Sequence, residues 1–197
     1  PAKKTALLLW SHGQGWRDFD EGIPIGLRAI LHEGSEESTS IMYNKNVRQA
    51  IESSGVNLDL LGFDACVMGM LEVAWEFKDN TDYLVFSQEN IAGSGYDYAK
   101  ALNGISENPG MRPRTFGMQL VRAYEGAYSD REYSTLSLVE TRKLPAVVDG
   151  LNRVIGEIAA TQRSRSARNY FADAHQSARM EDVQYYCDIG RLFDSVA

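Results

Sequence analysis

Two cysteines and three histidines are the residues of this chain best suited to covalent chemistry, and they combine into six Cys–His pairs, two times three. Only His12 with Cys66 has both members at the end of a short apolar run, next to a glycine or a helix start. The thiolate, not the thiol, is the nucleophile, and a free cysteine at neutral pH is mostly protonated. Residues 67–78 carry Val67, Met70, Leu71, Ala74, Trp75 and Phe77 at helical spacing, which predicts a helix whose positive end stabilises the Cys66 anion. Backbone N–H groups at such an end also cradle an oxyanion. Gly13 has no side chain to block its own N–H from a carbonyl, and His12 is placed to protonate a leaving amine. Each residue also has a plainer role: a lone cysteine is commonly a small buried hydrophobe, and a turn histidine a polar loop residue. Placement alone leaves both readings open.

Elements that could position such a pair are legible along the chain. Residues 5–10 (TALLLW) and 58–63 (LDLLGF) are continuous apolar runs of the kind buried on both faces of a parallel sheet. The first closes on His12-Gly13, the second on Asp64-Ala65-Cys66. Residues 82–86 and 134–139 read as further strands; 44–54, 115–128, 144–161, a stretch ending at 178 and a short one after 188 read as helices. Residues 16–40, with several glycines and a Ser/Glu-rich stretch, read as a long surface excursion. Strands alternating with helices predict an α/β fold with a mostly parallel central sheet flanked by helices, in a single domain over 1–197. Ligands of such sheets gather outside the carboxyl ends of the strands, where His12 and Cys66 would emerge together.

Composition excludes several other classes. At 197 residues, 44% hydrophobic and 24% charged, the chain has the make-up of an ordinary folded domain. A net charge of −7 argues against a general nucleic-acid binder, and no apolar run approaches the ~20 residues of a membrane-spanning helix. Two cysteines supply no disulfide framework, and three histidines leave little for a metal cage. The opening at Pro1, almost at once into a strand, suggests a processed product or a trimmed piece.

The His-Gly and Asp-Ala-Cys strand ends resemble those of the caspase-like cysteine peptidases, clan CD. Within them, 63–75 (FDACVMGMLEVAW) and 87–98 (SQENIAGSGYDY) are similar to the clostripain family, C11, the likeness covering residues 5–98. The resemblance implies a caspase-like three-layer sandwich and a cysteine endopeptidase cutting after arginine or lysine. By position Cys66 matches the nucleophile and His12 the catalytic histidine; in the corresponding mechanism the substrate carbonyl points at the N–H groups of Gly13 and Cys66. Asp64 matches the acid at the base of the specificity pocket, where a carboxylate pairs with a basic side chain; its plainer role is to cap the following helix. Relatives often carry a second pocket acid in the loop after the third strand. Here Ser94 aligns with it and Asp97 lies close by, while Ser87 and Gln88 are pocket walls by resemblance or ordinary strand-end polarity.

The resemblance implies further features. Maturation would follow a basic residue between the histidine and the cysteine, with Arg17, Arg28, Lys45 and Arg48 as candidates. Partners would be peptide or protein substrates, and location extracellular or the cell envelope. A strand ahead of the His-Gly strand would come from a missing N-terminal segment or a second chain. No cofactor is expected; some relatives depend on calcium, though no EF-hand loop is present and Glu33–Glu37 is too generic to claim. His32, His175, Cys187 and the arginines at 163, 165 and 168 read as surface or filler residues. The alternative from another class is a non-catalytic caspase-like module that binds basic segments or a partner domain.

Overall fold

A computed structural model describes residues 3–16, 29–35, 38–130, 134–161, 164–180 and 186–196. Two compact units divide the chain, Pro1–Arg142 and Lys143–Ala197.

The first unit is built on a four-stranded sheet of β1 (Ala6–Trp10), β4 (Leu58–Asp64), β5 (Thr81–Phe86) and β6 (Ser137–Glu140), in the order β1-β4-β5-β6. The first three run parallel and β6 is antiparallel to β5. Thr5 pins the start of β1: its N–H donates to the Asp59 carboxylate at 2.7 Å, and its carbonyl accepts from the Asp59 N–H at 2.9 Å. That fixes a register in which Leu8 lies opposite Gly62 and Trp10 opposite Asp64.

Because successive side chains alternate between faces, β4 divides its apolar residues. Leu60 joins Val85, Tyr96, Ala101, Phe116, Leu120 and Tyr124 in one cluster, under α3 (Tyr98–Glu107) and α4 (Pro113–Ala127). Leu61 and Phe63 point the other way, and the Phe63 ring meets Phe77 at 5.2 Å between centroids. On that side lie α1 (Asn44–Ser54), with Val47 and Ile51 buried, and α2 (Leu71–Glu76), with Val73 and Ala74 buried. Arg48 joins them, donating to Glu52 on α1 and to Glu76 on α2, each at 2.7 Å. The mostly parallel sheet flanked by helices is the architecture expected from the sequence.

Two local expectations are corrected. Part of the 16–40 excursion is a two-stranded antiparallel sheet, β2 (Ala29–Ser35) with β3 (Ser38–Tyr43). Its glycine and serine residues mark a hairpin, and the β-branched residues of 39–41 belong to a strand. Residues 17–28, with Arg17 and Arg28, lie outside the described residues.

The second correction concerns the helix expected over 67–78, which is confined to the six residues of α2. The segment before it bonds to the end of β5 instead. Val67 N–H donates to Glu89 O at 3.2 Å and Gly69 N–H to Ser87 O at 2.6 Å. Val67 has φ 50°, in the left-handed region, where a β-branched residue is an outlier. Of the periodic residues, Val67, Met70, Ala74 and Phe77 are buried while Trp75 is exposed; Val67 and Met70 are buried by an irregular turn rather than a helix.

The second unit holds α5 (Leu144–Thr161), α6 (Arg165–Ser177) and α7 (Ile189–Val196). A bridge pairs Arg179 with Cys187, and the Tyr170 hydroxyl donates to Ser195 O at 3.1 Å. Arg165, Arg168 and an exposed His175 lie on α6, while Arg163 falls outside the described residues. Cys187 is half-buried, and burial raises its thiol pKa.

Leu60 carries the packing of the α3/α4 face, being fully buried at the centre of the sheet. Leu60→Ala should cost about 2–5 kcal/mol, as cavity-forming core substitutions do. Urea unfolding would register this as a lower midpoint at unchanged slope; an unshifted midpoint would contradict the packing described.

Candidate active site

At the carboxyl edge of the sheet, the backbones leaving β1 and β4 stay in contact for several residues. Ser11 N–H donates to Asp64 O at 3.3 Å, and one residue further the chain reaches an exposed His12. Gly13 is buried against the Cys66 peptide: a methyl group there would lie 2.2 Å from Cys66 O and 3.0 Å from Cys66 N. Only glycine admits this approach, so the residue after the histidine is pressed onto the backbone of the cysteine.

Cys66 is half-buried and its thiol is free. Its Sγ accepts the Ile91 N–H at 3.3 Å and lies 3.9 Å from Ile91 O. Because α2 begins only at Leu71, the anticipated helix end does not adjoin the sulfur. What adjoins it is the loop after β5. The Val67 N–H is taken by Glu89 O.

Asp64 closes β4 on the same face as Leu60, two residues along each time. It is only 1% exposed. Oδ2 accepts the Tyr96 N–H at 2.9 Å and the Tyr98 hydroxyl at 2.7 Å, whereas Oδ1 has no partner among the described residues. It caps no helix. Burial raises the Asp64 carboxyl from its ordinary 3.8, against the lowering effect of those two bonds. Burial raises both tyrosine hydroxyls too, with Asp64 adding to the effect; they stay protonated and act as donors.

Tyr96 and Tyr98 were not singled out in the sequence, although the alternation Gly93-x-Gly95-Tyr96-x-Tyr98 was the available signal. Gly95, at φ 71°, brings this loop against Asp64: a methyl there would be 2.4 Å from Oδ2 and 3.1 Å from the Trp10 indole nitrogen. Trp10, 63% exposed, therefore stands beside the carboxylate. Three further bonds brace the loop. Tyr96 hydroxyl donates to Phe63 O at 2.8 Å, Ala92 N–H to the Tyr124 hydroxyl at 3.2 Å, and Tyr128 hydroxyl to Gly95 O at 2.9 Å.

Other residues anticipated for the pocket sit differently. Ser87 is fully buried, donating to Glu89 O and paired with the Thr135 hydroxyl, each at 2.8 Å; its side chain braces the loop instead of facing a cleft. The Asp97 carboxylate caps α3 by accepting the Lys100 N–H at 2.9 Å. Gln88 is half-buried and Ser94 exposed. Among the described residues no group of three or more His, Cys, Asp or Glu is arranged to hold a metal ion. A polar cavity of about 720 Å³, lined by Lys3, Asp59 and Asp82 among others, lies at the opposite, amino ends of the strands.

A mostly parallel α/β sheet with His-Gly and Cys strand ends meeting at its carboxyl edge defines the caspase-like class. The chain belongs to the clostripain family: the family model Peptidase_C11, described as "Clostripain family", matches residues 1–195. The clostripain of Hathewaya histolytica is 31% identical over 119 residues, which is 55% of this chain and 22% of that protein. An inactive zymogen C11 protease from Parabacteroides distasonis superposes with TM-score 0.61 and 22% identity, over 100% of this chain and 51% of that one. A clostripain from Bacteroides thetaiotaomicron, in complex with a peptide inhibitor, gives TM-score 0.60 and 19% identity over 84% and 68%. A secreted C11 cysteine protease of that organism gives 0.58 and 22% over 74% and 42%. This chain thus spans 22% of the curated relative and about half of the zymogen's length.

The contact between Gly13 and Cys66 is directly testable. Gly13→Ala should lower stability by roughly 1–3 kcal/mol, as overpacking does, and alter the alkylation rate mapped to Cys66. Unchanged melting and unchanged alkylation would show that the two strand ends do not touch.

Proposed function

We propose that the protein is a cysteine endopeptidase that cuts after lysine or arginine, using Cys66 and His12 with Asp64 as the acceptor of the basic side chain. One observation carries this reading: a buried carboxylate with an unpartnered oxygen lies two residues from a cysteine whose peptide is packed against the residue after a histidine. Burying a carboxylate is costly unless it is paired. A substrate ammonium or guanidinium would supply the missing partner.

The basic side chain pairs with Asp64 and sets the scissile carbonyl beside the thiol. Cys66 thiolate attacks the carbonyl carbon, and the oxygen takes up the electron pair against the N–H groups of Gly13 and Cys66. The intermediate collapses, His12 gives a proton to the departing amine, and an acyl-enzyme remains on Sγ. Water, giving a proton to His12, then attacks the thioester carbonyl; the C–S bond breaks, the carboxylic acid product departs, and Cys66 is left as the thiolate with His12 protonated for the next cycle. Every step is assigned to this chain's own groups.

Maturation between the two motifs belongs to the same reading. A peptidase takes its substrate extended, and Lys45 and Arg48 lie within α1, with Arg48 in two ion pairs. That favours Arg17 or Arg28, outside the described residues. An additional strand, from an upstream segment or a second chain, would pair along β1, which lies at one edge of the sheet order. An extracellular or envelope location is supported by a structural relative described as secreted, and no helix of the described residues is long and apolar enough to cross a membrane.

Fluorogenic peptides ending in lysine, arginine or a neutral residue test the reading on the matured protein. Wild type should cleave the basic ones, and Cys66→Ala should lose at least about 10³-fold in kcat/KM, in line with loss of a nucleophile. No turnover by matured wild type would leave the non-catalytic binding module.

The pH dependence has a definite sign. A cation needs ionised Asp64, and burial places that ionisation above 3.8. The ratio of basic to neutral turnover should therefore fall as pH drops through that raised value. Effects common to both substrates cancel in the ratio. Asp64→Asn should remove this acid limb; its survival would place the limb elsewhere.

A further inference from the structure

The two oxygens of Asp64 are not equivalent. Oδ2 already accepts two hydrogen bonds, from the Tyr96 N–H and the Tyr98 hydroxyl, while Oδ1 accepts none among the described residues. A carboxylate recognises guanidinium best through two parallel bonds, one to each oxygen. With Oδ2 filled, that fork cannot engage on both sides. A lysine ammonium is a compact point charge with rotatable donors and needs only one oxygen.

We infer that Tyr98 is a specificity-determining residue: by occupying Oδ2 it makes Asp64 a one-oxygen acceptor that favours lysine over arginine at the cleavage site. This rests on the reading that Asp64 receives the basic side chain. The two donors on Oδ2 differ in kind. The Tyr96 N–H belongs to the backbone and is fixed by the loop, but the Tyr98 hydroxyl is a side-chain group that one substitution removes. Tyr98 is itself half-buried at the start of α3, its ring 6.0 Å from that of Tyr96, so the hydroxyl is held at Oδ2 by packing. Tyr98→Phe keeps the ring and frees one lone pair of Oδ2 on the side where the hydroxyl stood.

The test compares kcat/KM for two peptides identical except for lysine or arginine before the cut bond, on the complete, matured protein. Wild type is expected to use the lysine peptide at least as well as the arginine one. Tyr98→Phe should shift the ratio toward arginine by about ten- to a hundredfold, the worth of one gained hydrogen bond to a charged group. A wild-type preference for arginine, or a ratio unmoved by Tyr98→Phe, overturns the inference. A general loss of stability would lower both rates together and leave the ratio unchanged; the wild-type ratio stands even if the variant fails to fold. Asp64→Asn separates the two levels of the reading. Loss of both basic substrates relative to a neutral one upholds the pocket, whatever Tyr98→Phe does, whereas retained basic preference removes Asp64 and the role of Tyr98 with it.

Discussion

The parallel pairing of β1 with β4, in the one register that sets Trp10 opposite Asp64, is the constraint on which the remainder depends. A strand's side chains alternate, so a slip by one residue would turn Asp64 from the tyrosine-lined face to the face of Phe63 and Phe77. It would also separate Gly13 from the Cys66 peptide. The Thr5–Asp59 bonds at the far end of the strands resist that slip, and the site is therefore registered from the opposite edge of the sheet.

Given that register, the chain meets an energetic difficulty in placing a carboxylate at the end of a strand whose other residues are apolar. Two donors, the Tyr96 N–H and the Tyr98 hydroxyl, ease the burial without removing it, as the raised carboxyl pKa indicates. Four tyrosines, Tyr96, Tyr98, Tyr124 and Tyr128, hold the covering loop through hydroxyl bonds and ring contacts. Aromatic bodies with polar tips suit this task, filling the core beneath α4 while supplying donors and acceptors to a loop that has no ladder of its own.

Much of this was legible in sequence because it follows from burial. The two largely apolar runs are strands as expected, and their polar endings mark the edge where chemistry collects; β4 is buried on both faces, but β1, at the end of the sheet order, is only half-buried and its Trp10 is exposed. The arrangement after Cys66 was not legible. Val67 and Met70 satisfy a helical period and are buried, but periodicity does not report how the backbone is bonded. Hydrogen bonds to Glu89 and Ser87 won that segment, contacts some twenty residues away in the chain. For the same reason the tyrosines could be seen but not assigned. Asp97, read as a pocket acid, has a local use that spacing alone did not reveal, since its carboxylate reaches a backbone N–H three residues ahead. The β2–β3 hairpin was obscured because its turn residues dominate the composition around it.

The loop after β5 has a consequence for how such a pocket can diversify. Residues 87–98 supply the N–H that meets the Cys66 sulfur and, five and seven residues on, the two donors that hold Asp64. Lengthening or re-routing the loop to admit a different side chain would disturb the sulfur's surroundings in the same move. If Asp64 receives the substrate side chain as proposed, selectivity would drift most readily through side-chain exchanges on a fixed backbone, of which the loss of a single phenolic oxygen is the smallest.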